Sequence, residues 1–93
     1  MAVPIKVTVQ KKVGSACNTV TQTQHVEFWD TADTAVRYSF ETDASGFVRL
    51  GAVETNPYHA YVNNNGAPCA TCRTVVSITT YNQAVTLCVP CAR

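Results

Sequence analysis

Charge is scarce in this chain: Asp, Glu, Lys and Arg together make up 14% of its 93 residues, against roughly 25% in an ordinary soluble domain. What charge there is nearly cancels, with seven Lys plus Arg against six Asp plus Glu and a net charge of +1. That excludes a basic field able to draw in nucleic acid or an anionic membrane. Leucine stands only at Leu50 and Leu87 and methionine only at Met1, so straight-chain helix formers are thin and no segment carries a helical apolar period. No apolar run approaches the roughly 20 residues needed to cross a bilayer. Taken as it stands, the N-terminus Met1-Ala-Val-Pro-Ile-Lys6 has no basic region, apolar core or cleavage site of a secretory leader, and Cys91-Ala-Arg93 is no lipidation box. The expectation is a chain made and kept inside the cell unless a leader was removed.

What is present is valine, threonine and alternation. Hydrophobic residues reach 46%, enough to fold, and the length supplies one core, so residues 1–93 form a single domain. A period of two recurs at Ile5/Val7/Val9, Val26/Phe28, Val36/Tyr38/Phe40, Val48/Leu50, Tyr58/Ala60/Val62, Val76/Ile78 and Val85/Leu87/Val89. Each set is the apolar face of a strand. Turn residues fall between them: Gly14-Ser15, Asp30 to Thr34, Asp43-Ala-Ser-Gly46, Asn56-Pro57, Asn63 to Gly66 and Tyr81-Asn-Gln83. About seven antiparallel strands, each with one apolar face, predict an all-β sandwich of two sheets, with a barrel as the second architecture. Residues 18–24, polar on both faces, read as an edge or a lead-in to the strand at His25.

Over about residues 25–62 the chain resembles the prealbumin-like, or carboxypeptidase-regulatory, branch of immunoglobulin-like sandwiches, which includes B repeats of bacterial surface proteins. The residues that carry the likeness are His25-Val-Glu-Phe-Trp-Asp30, the turn Thr42-Asp-Ala-Ser-Gly46 and the strand entry Pro57-Tyr58. The resemblance implies an Ig-like fold and a non-catalytic role in adhesion, assembly or stabilisation. An evident Lys and Asn pair placed for an isopeptide crosslink is lacking.

The chemistry lies in five cysteines, four of them in two CxxC pairs, Cys69/Cys72 and Cys88/Cys91, separated by fifteen residues. The spacing suits a tetrathiolate zinc site. In a hairpin over 69–91 that pairs Val76 with Leu87 and Ile78 with Val85, the register extends to Cys72 opposite Cys91, so the four thiols meet at its open end. They would hold a structural Zn2+, or form two disulfides, and in either case clamp the C-terminal hairpin. Cys17 is left as a buried or idle thiol. The two histidines, His25 and His59, lie on polar strand faces and belong to no triad motif, so no enzyme is expected. Trp29 shares the outward parity of His25 and Glu27 and is either a sheet-end cap on the core or the candidate anchor for a partner. Asp30, Asp33 and Asp43 read as turn caps.

These readings lead to a non-enzymatic structural protein. The first expectation is a virion decoration or cement protein, or a phage tail accessory, bound to a capsid or tail in the host cytoplasm and able to form homo-oligomers. It rests on analogy of fold. A secreted or cell-surface adhesion module is the alternative, and a small zinc-ribbon-like regulatory module the second. Redox state discriminates: zinc favours intracellular assembly and disulfides the extracellular module.

Overall fold

The computed structural model describes residues 1–66 and 69–93. Among the described residues eight strands alternate with short turns: β1 (Ala2–Val13), β2 (Ala16–Thr19), β3 (His25–Trp29), β4 (Val36–Glu41), β5 (Phe47–Glu54), β6 (Pro57–Val62), β7 (Arg73–Ser77) and β8 (Gln83–Val89). A 3-10 turn, Ala70–Cys72, precedes β7. The all-β expectation holds, and the strand beyond the expected seven is β2. Its four residues are all exposed and pair with the end of β1, so burial wrote no alternation there and the Gly14-Ser15 turn was its only signal.

The strands form two four-stranded sheets. In sheet A, β1 is shared, bonded to β5 along residues 2–8, to β8 along 5–11 and to β2 along 10–13. Pro4 has no N–H for a ladder, and the β1–β5 register shifts between Val3 and Ile5, where it sits. Sheet B runs β4-β3-β6-β7 with every pair antiparallel. Alternating burial along residues 2–10 of β1 and along β3 sends Ile5, Val7, Val9, Val26 and Phe28 into one core cluster fed by both sheets. Phe28, wholly buried, stacks near Tyr58 at 5.6 Å and meets Phe40 edge-on at 5.2 Å.

The turn at Thr42 to Gly46 shows why those residues stand there. Asp43 Oδ1 accepts from Ser45 N, Ser45 Oγ and Phe47 N, and Gly46 takes φ +85°. A Cβ at Gly46 would lie 2.5 Å from the Val9 carbonyl oxygen and 2.6 Å from Val20 Cγ2, so only glycine lets β1 and this turn approach so closely.

Two expectations are corrected here. The hairpin over 69–91 does not form, because β7 pairs with β6 in sheet B while β8 pairs with β1 in sheet A. Val76 opposes Tyr58, Val85 opposes Val7 and Leu87 opposes Val9, in place of the pairs Val76–Leu87 and Ile78–Val85. The β1–β8 pairing is also parallel, so the sandwich is not antiparallel throughout. A hairpin would have left β7 and β8 side by side in one layer. By crossing between layers they cover the same core from opposite sides, with Val76, Ile78, Val85 and Leu87 all buried. Gln83 secures the crossover: Oε1 accepts from Thr79 N at 2.8 Å and Thr80 N at 3.2 Å, and Nε2 donates to Ser77 O at 2.8 Å.

Candidate functional site

The cysteines pair otherwise than by their motifs. Cys17 of β2 is bonded to Cys88 of β8, with Cα atoms 5.8 Å apart, and Cys72 is bonded to Cys91, with Cα atoms 5.7 Å apart. Cys72 and Cys91 do meet, although through the crossover and not through a hairpin. Cys17, expected to be idle, takes the place of Cys69, which is the free thiol. The tetrathiolate zinc centre at Cys69, Cys72, Cys88 and Cys91 is not supported, since among the described residues no group of three or more His, Cys, Asp or Glu is placed to hold a metal. The physical reason is the sheet assignment: β8 runs along β1 and brings Cys88 opposite Gln10, while β2 brings Cys17 opposite Lys12.

Around Cys69 the geometry is unusual. Thr71 Oγ1 lies 3.1 Å from Cys69 Sγ and 3.8 Å from both Cys72 Sγ and Cys91 Sγ. Hydrogen bonds from the Thr71 hydroxyl and backbone hold the exposed Cys69 thiol below its ordinary pKa.

The other concentration of chemistry is the outward face of sheet B. Period two places His25, Glu27 and Trp29 of β3 beside His59 and Tyr61 of β6, and these beside Arg73 and Val75 of β7. Glu27 Oε1 accepts from Trp29 Nε1 and Asn63 Nδ2, each at 3.1 Å, and its Oε2 lies 3.3 Å from His25 Nε2. Partial burial pushes the Glu27 carboxyl up, but hydrogen bonds from Asn63, Trp29 and His25 outweigh it and leave the group below its usual value. Asn63 is itself buried, and its Oδ1 has no partner among the described residues.

Asp33 joins this face from the β3–β4 turn. Its φ of +56°, a conformation Asp tolerates better than most residues, belongs to a turn closed by Asp30, whose carboxylate accepts from Thr34 N at 2.8 Å and Thr34 Oγ1 at 2.5 Å. Asp33 Oδ1 lies 2.9 Å from His59 Nδ1 and accepts from Tyr61 OH at 3.0 Å, while Arg73 Nη1 donates to Oδ2 at 3.4 Å. The His59 bond lowers the Asp33 carboxyl, with Tyr61 and Arg73 adding to it. Burial and the bond to Asp33 raise the Tyr61 phenol. Asp30 and Asp43 cap turns as expected, but Asp33 reaches over the sheet.

Trp29 is therefore on the outer face, as its parity indicated, half-buried and edge-on to Tyr61 at 5.9 Å. His25 and His59 are not freely solvated; each faces a carboxylate. Ser39, His25 and Glu27 come together, yet His25 presents the same nitrogen, Nε2, to Ser39 Oγ at 3.4 Å and to Glu27 at 3.3 Å. A hydrolytic triad needs the acid on one ring nitrogen and the nucleophile on the other, so this arrangement does not activate Ser39. An open cleft of about 550 Å³ lies between Tyr38, Glu54 and Tyr58. The groups of these three residues are engaged: Tyr38 OH accepts from Glu54 N, Tyr58 OH donates to Glu54 O, and the Glu54 carboxylate pairs with the N-terminal ammonium.

The network of Asp33, His59, Tyr61, Arg73, Glu27 and Asn63 is not foreseen from the sequence because it requires the strand order β4-β3-β6-β7. Parity alone puts each residue outward, but not beside the others. No family model matches the chain, and no curated protein matches it.

Proposed function

We propose that this chain is a non-enzymatic adhesion module that engages a protein partner through the outer face of sheet B, in an oxidising, extracytoplasmic setting. The observation that supports the surface is Trp29, fixed by Glu27 and Tyr61 yet partly uncovered, with Val75 70% exposed and Val36 43% exposed on the same sheet. A rigid aromatic beside uncovered aliphatic residues and an Arg is the composition of an interface centre. The two disulfides support the setting, since such bonds persist outside the reducing cytosol. They weigh against the zinc-ribbon-like module and against assembly in a host cytoplasm. Decoration of a virion is the same kind of contact made on another oxidising surface. The prealbumin-like, Ig-like assignment belongs with this reading and is supported by two four-stranded sheets and by the Asp43 to Gly46 turn.

The test is retention of intact cells on a surface coated with the domain. Saturable retention that falls at least tenfold for Val75→Asp and for Trp29→Ala, with the melting temperature of Val75→Asp unchanged, is the expected result. Retention that survives both substitutions overturns the assignment of this face. Cells held no better than by a bare surface overturn the adhesion reading.

A further inference from the structure

The face of sheet B leaves one cluster unused, the three sulfurs around Thr71. Cys69 is not isolated: one hydroxyl touches its Sγ and both sulfurs of the Cys72–Cys91 disulfide. Cys69 and Cys72 are the ends of a tight turn in which Cys72 N donates to Cys69 O at 2.9 Å. A turn of that kind holds its first and fourth Cα atoms within about 7 Å, which is the span a disulfide bridges without large backbone movement. Cys72 is thus a sulfur with two partners in reach, Cys91 across the crossover and Cys69 within its own CxxC.

We propose that Cys69 is a resolving thiol that exchanges with the Cys72–Cys91 disulfide and releases Cys91. The Cys69 thiolate attacks Cys72 Sγ, the Cys69–Cys72 bond forms as Cys72–Cys91 breaks, and the electron pair leaves on Cys91. The proton lost by Cys69 is taken up by Cys91 through solvent. One disulfide is present before and after, so no oxidant or reductant is consumed. The exposure of Cys69 leaves it open to solvent for this proton transfer.

The exchange has a structural consequence. Cys72–Cys91 closes a separation of 19 residues and ties the segment after β8 to the 3-10 turn, whereas Cys69–Cys72 closes only that turn. The released tail keeps its polar anchors, with Arg93 N donating to Gln24 Oε1 at 2.9 Å and Gln24 Nε2 donating to Arg93 O at 3.1 Å. The fold can therefore hold while the covalent clamp opens. Cys17–Cys88 joins β2 to β8 within sheet A and is untouched. This inference stands apart from the adhesion reading, because it concerns the chain alone.

The experiment uses the intact oxidised chain, incubated at mildly alkaline pH without thiol or oxidant and quenched with acid at intervals. The free thiol is tagged with a maleimide, and trypsin then cuts after Arg73, so that the peptide with Cys69 and Cys72 stays joined to the one with Cys88 and Cys91 while Cys72–Cys91 is intact and parts from it once the exchange has occurred. The expected result is a tag on Cys91 that rises with time to a plateau, matched by an internal Cys69–Cys72 bond, and no tag anywhere in Cys69→Ser. A tag on Cys69 alone at every interval overturns the proposal. A tag on Cys72 would mean that Cys91 was the sulfur attacked and overturns the assigned direction. A tag on Cys91 in Cys69→Ser would show that the clamp opens without this thiol, which also overturns the proposal.

Discussion

The two faces of sheet B hold their residues by different physics. Inward, Val26, Phe28, Tyr58, Ala60, Val62 and Val76 are buried against sheet A, and the stabilisation is non-directional, growing with apolar area removed from water. Outward, Glu27 and Asp33 each gather partners from several elements at defined distances, and here direction and charge decide. Tyr61 shows the contrast best. It lies on the outward side yet is only 6% exposed, because Trp29, Asp33 and Arg73 cover it, so polar neighbours bury it where the core does not. Alternation in a strand therefore separates two environments without making the second one solvent.

The largest effect should come from the inward side. Phe28→Ala removes a wholly buried ring that touches Tyr38, Phe40 and Tyr58, and should cost about 3–5 kcal/mol. At about 4–8 °C per kcal/mol for a domain this size, calorimetry should find the variant unfolded or melting tens of degrees lower. A drop of only a few degrees would mean that the core does not depend on this cluster. The disulfides come next. In the chain-entropy account, opening Cys17–Cys88, a separation of 71, costs about 4 kcal/mol, and opening Cys72–Cys91, a separation of 19, about 3 kcal/mol. Cys17→Ser with Cys88→Ser should lower the melting temperature further than Cys72→Ser with Cys91→Ser. The reverse order would mean that strain or residual structure, and not loop length, sets their worth.

The inward side was legible in the sequence and the outward side was not. Seven sets of alternating apolar residues name most of the core, because burial on one face writes a period of two directly into the residues. Strand β2 wrote none, being exposed throughout. The order of strands is a further quantity that local pattern does not hold. Val76/Ile78 and Val85/Leu87 are equally apolar whether β7 and β8 share a sheet or face each other across the core, and of the two a hairpin is the shorter connection. The cysteine pairing inherits that ambiguity. Once β8 lies along β1, Cys88 falls near Cys17, and the CxxC spacing that pointed to four convergent thiols loses its geometry. The turn around Asp43 was legible because Thr42 to Gly46 carries its whole mechanism within five residues. Asp33 was not, since its partners lie 26, 28 and 40 residues away.

The smallest predicted effect is the sharpest probe of the outward face. The folded Glu27 carboxyl titrates below its unfolded value, because Asn63, Trp29 and His25 favour its charged form. A group depressed in this way contributes stability that is full above the unfolded pKa, about 4.3, and is lost as pH falls through the lower folded value. Glu27→Gln keeps an acceptor but not the charge, so it should cost about 1 kcal/mol at neutral pH. That difference should close as pH falls below the unfolded value and through the lower folded one, where the wild-type carboxyl takes up its proton. Melting curves of the two proteins across this range would show them converging in acid. If the gap instead persisted undiminished to the lowest pH at which both fold, the charge on Glu27 would be irrelevant. The outward network would then be held by shape, as the inward one is.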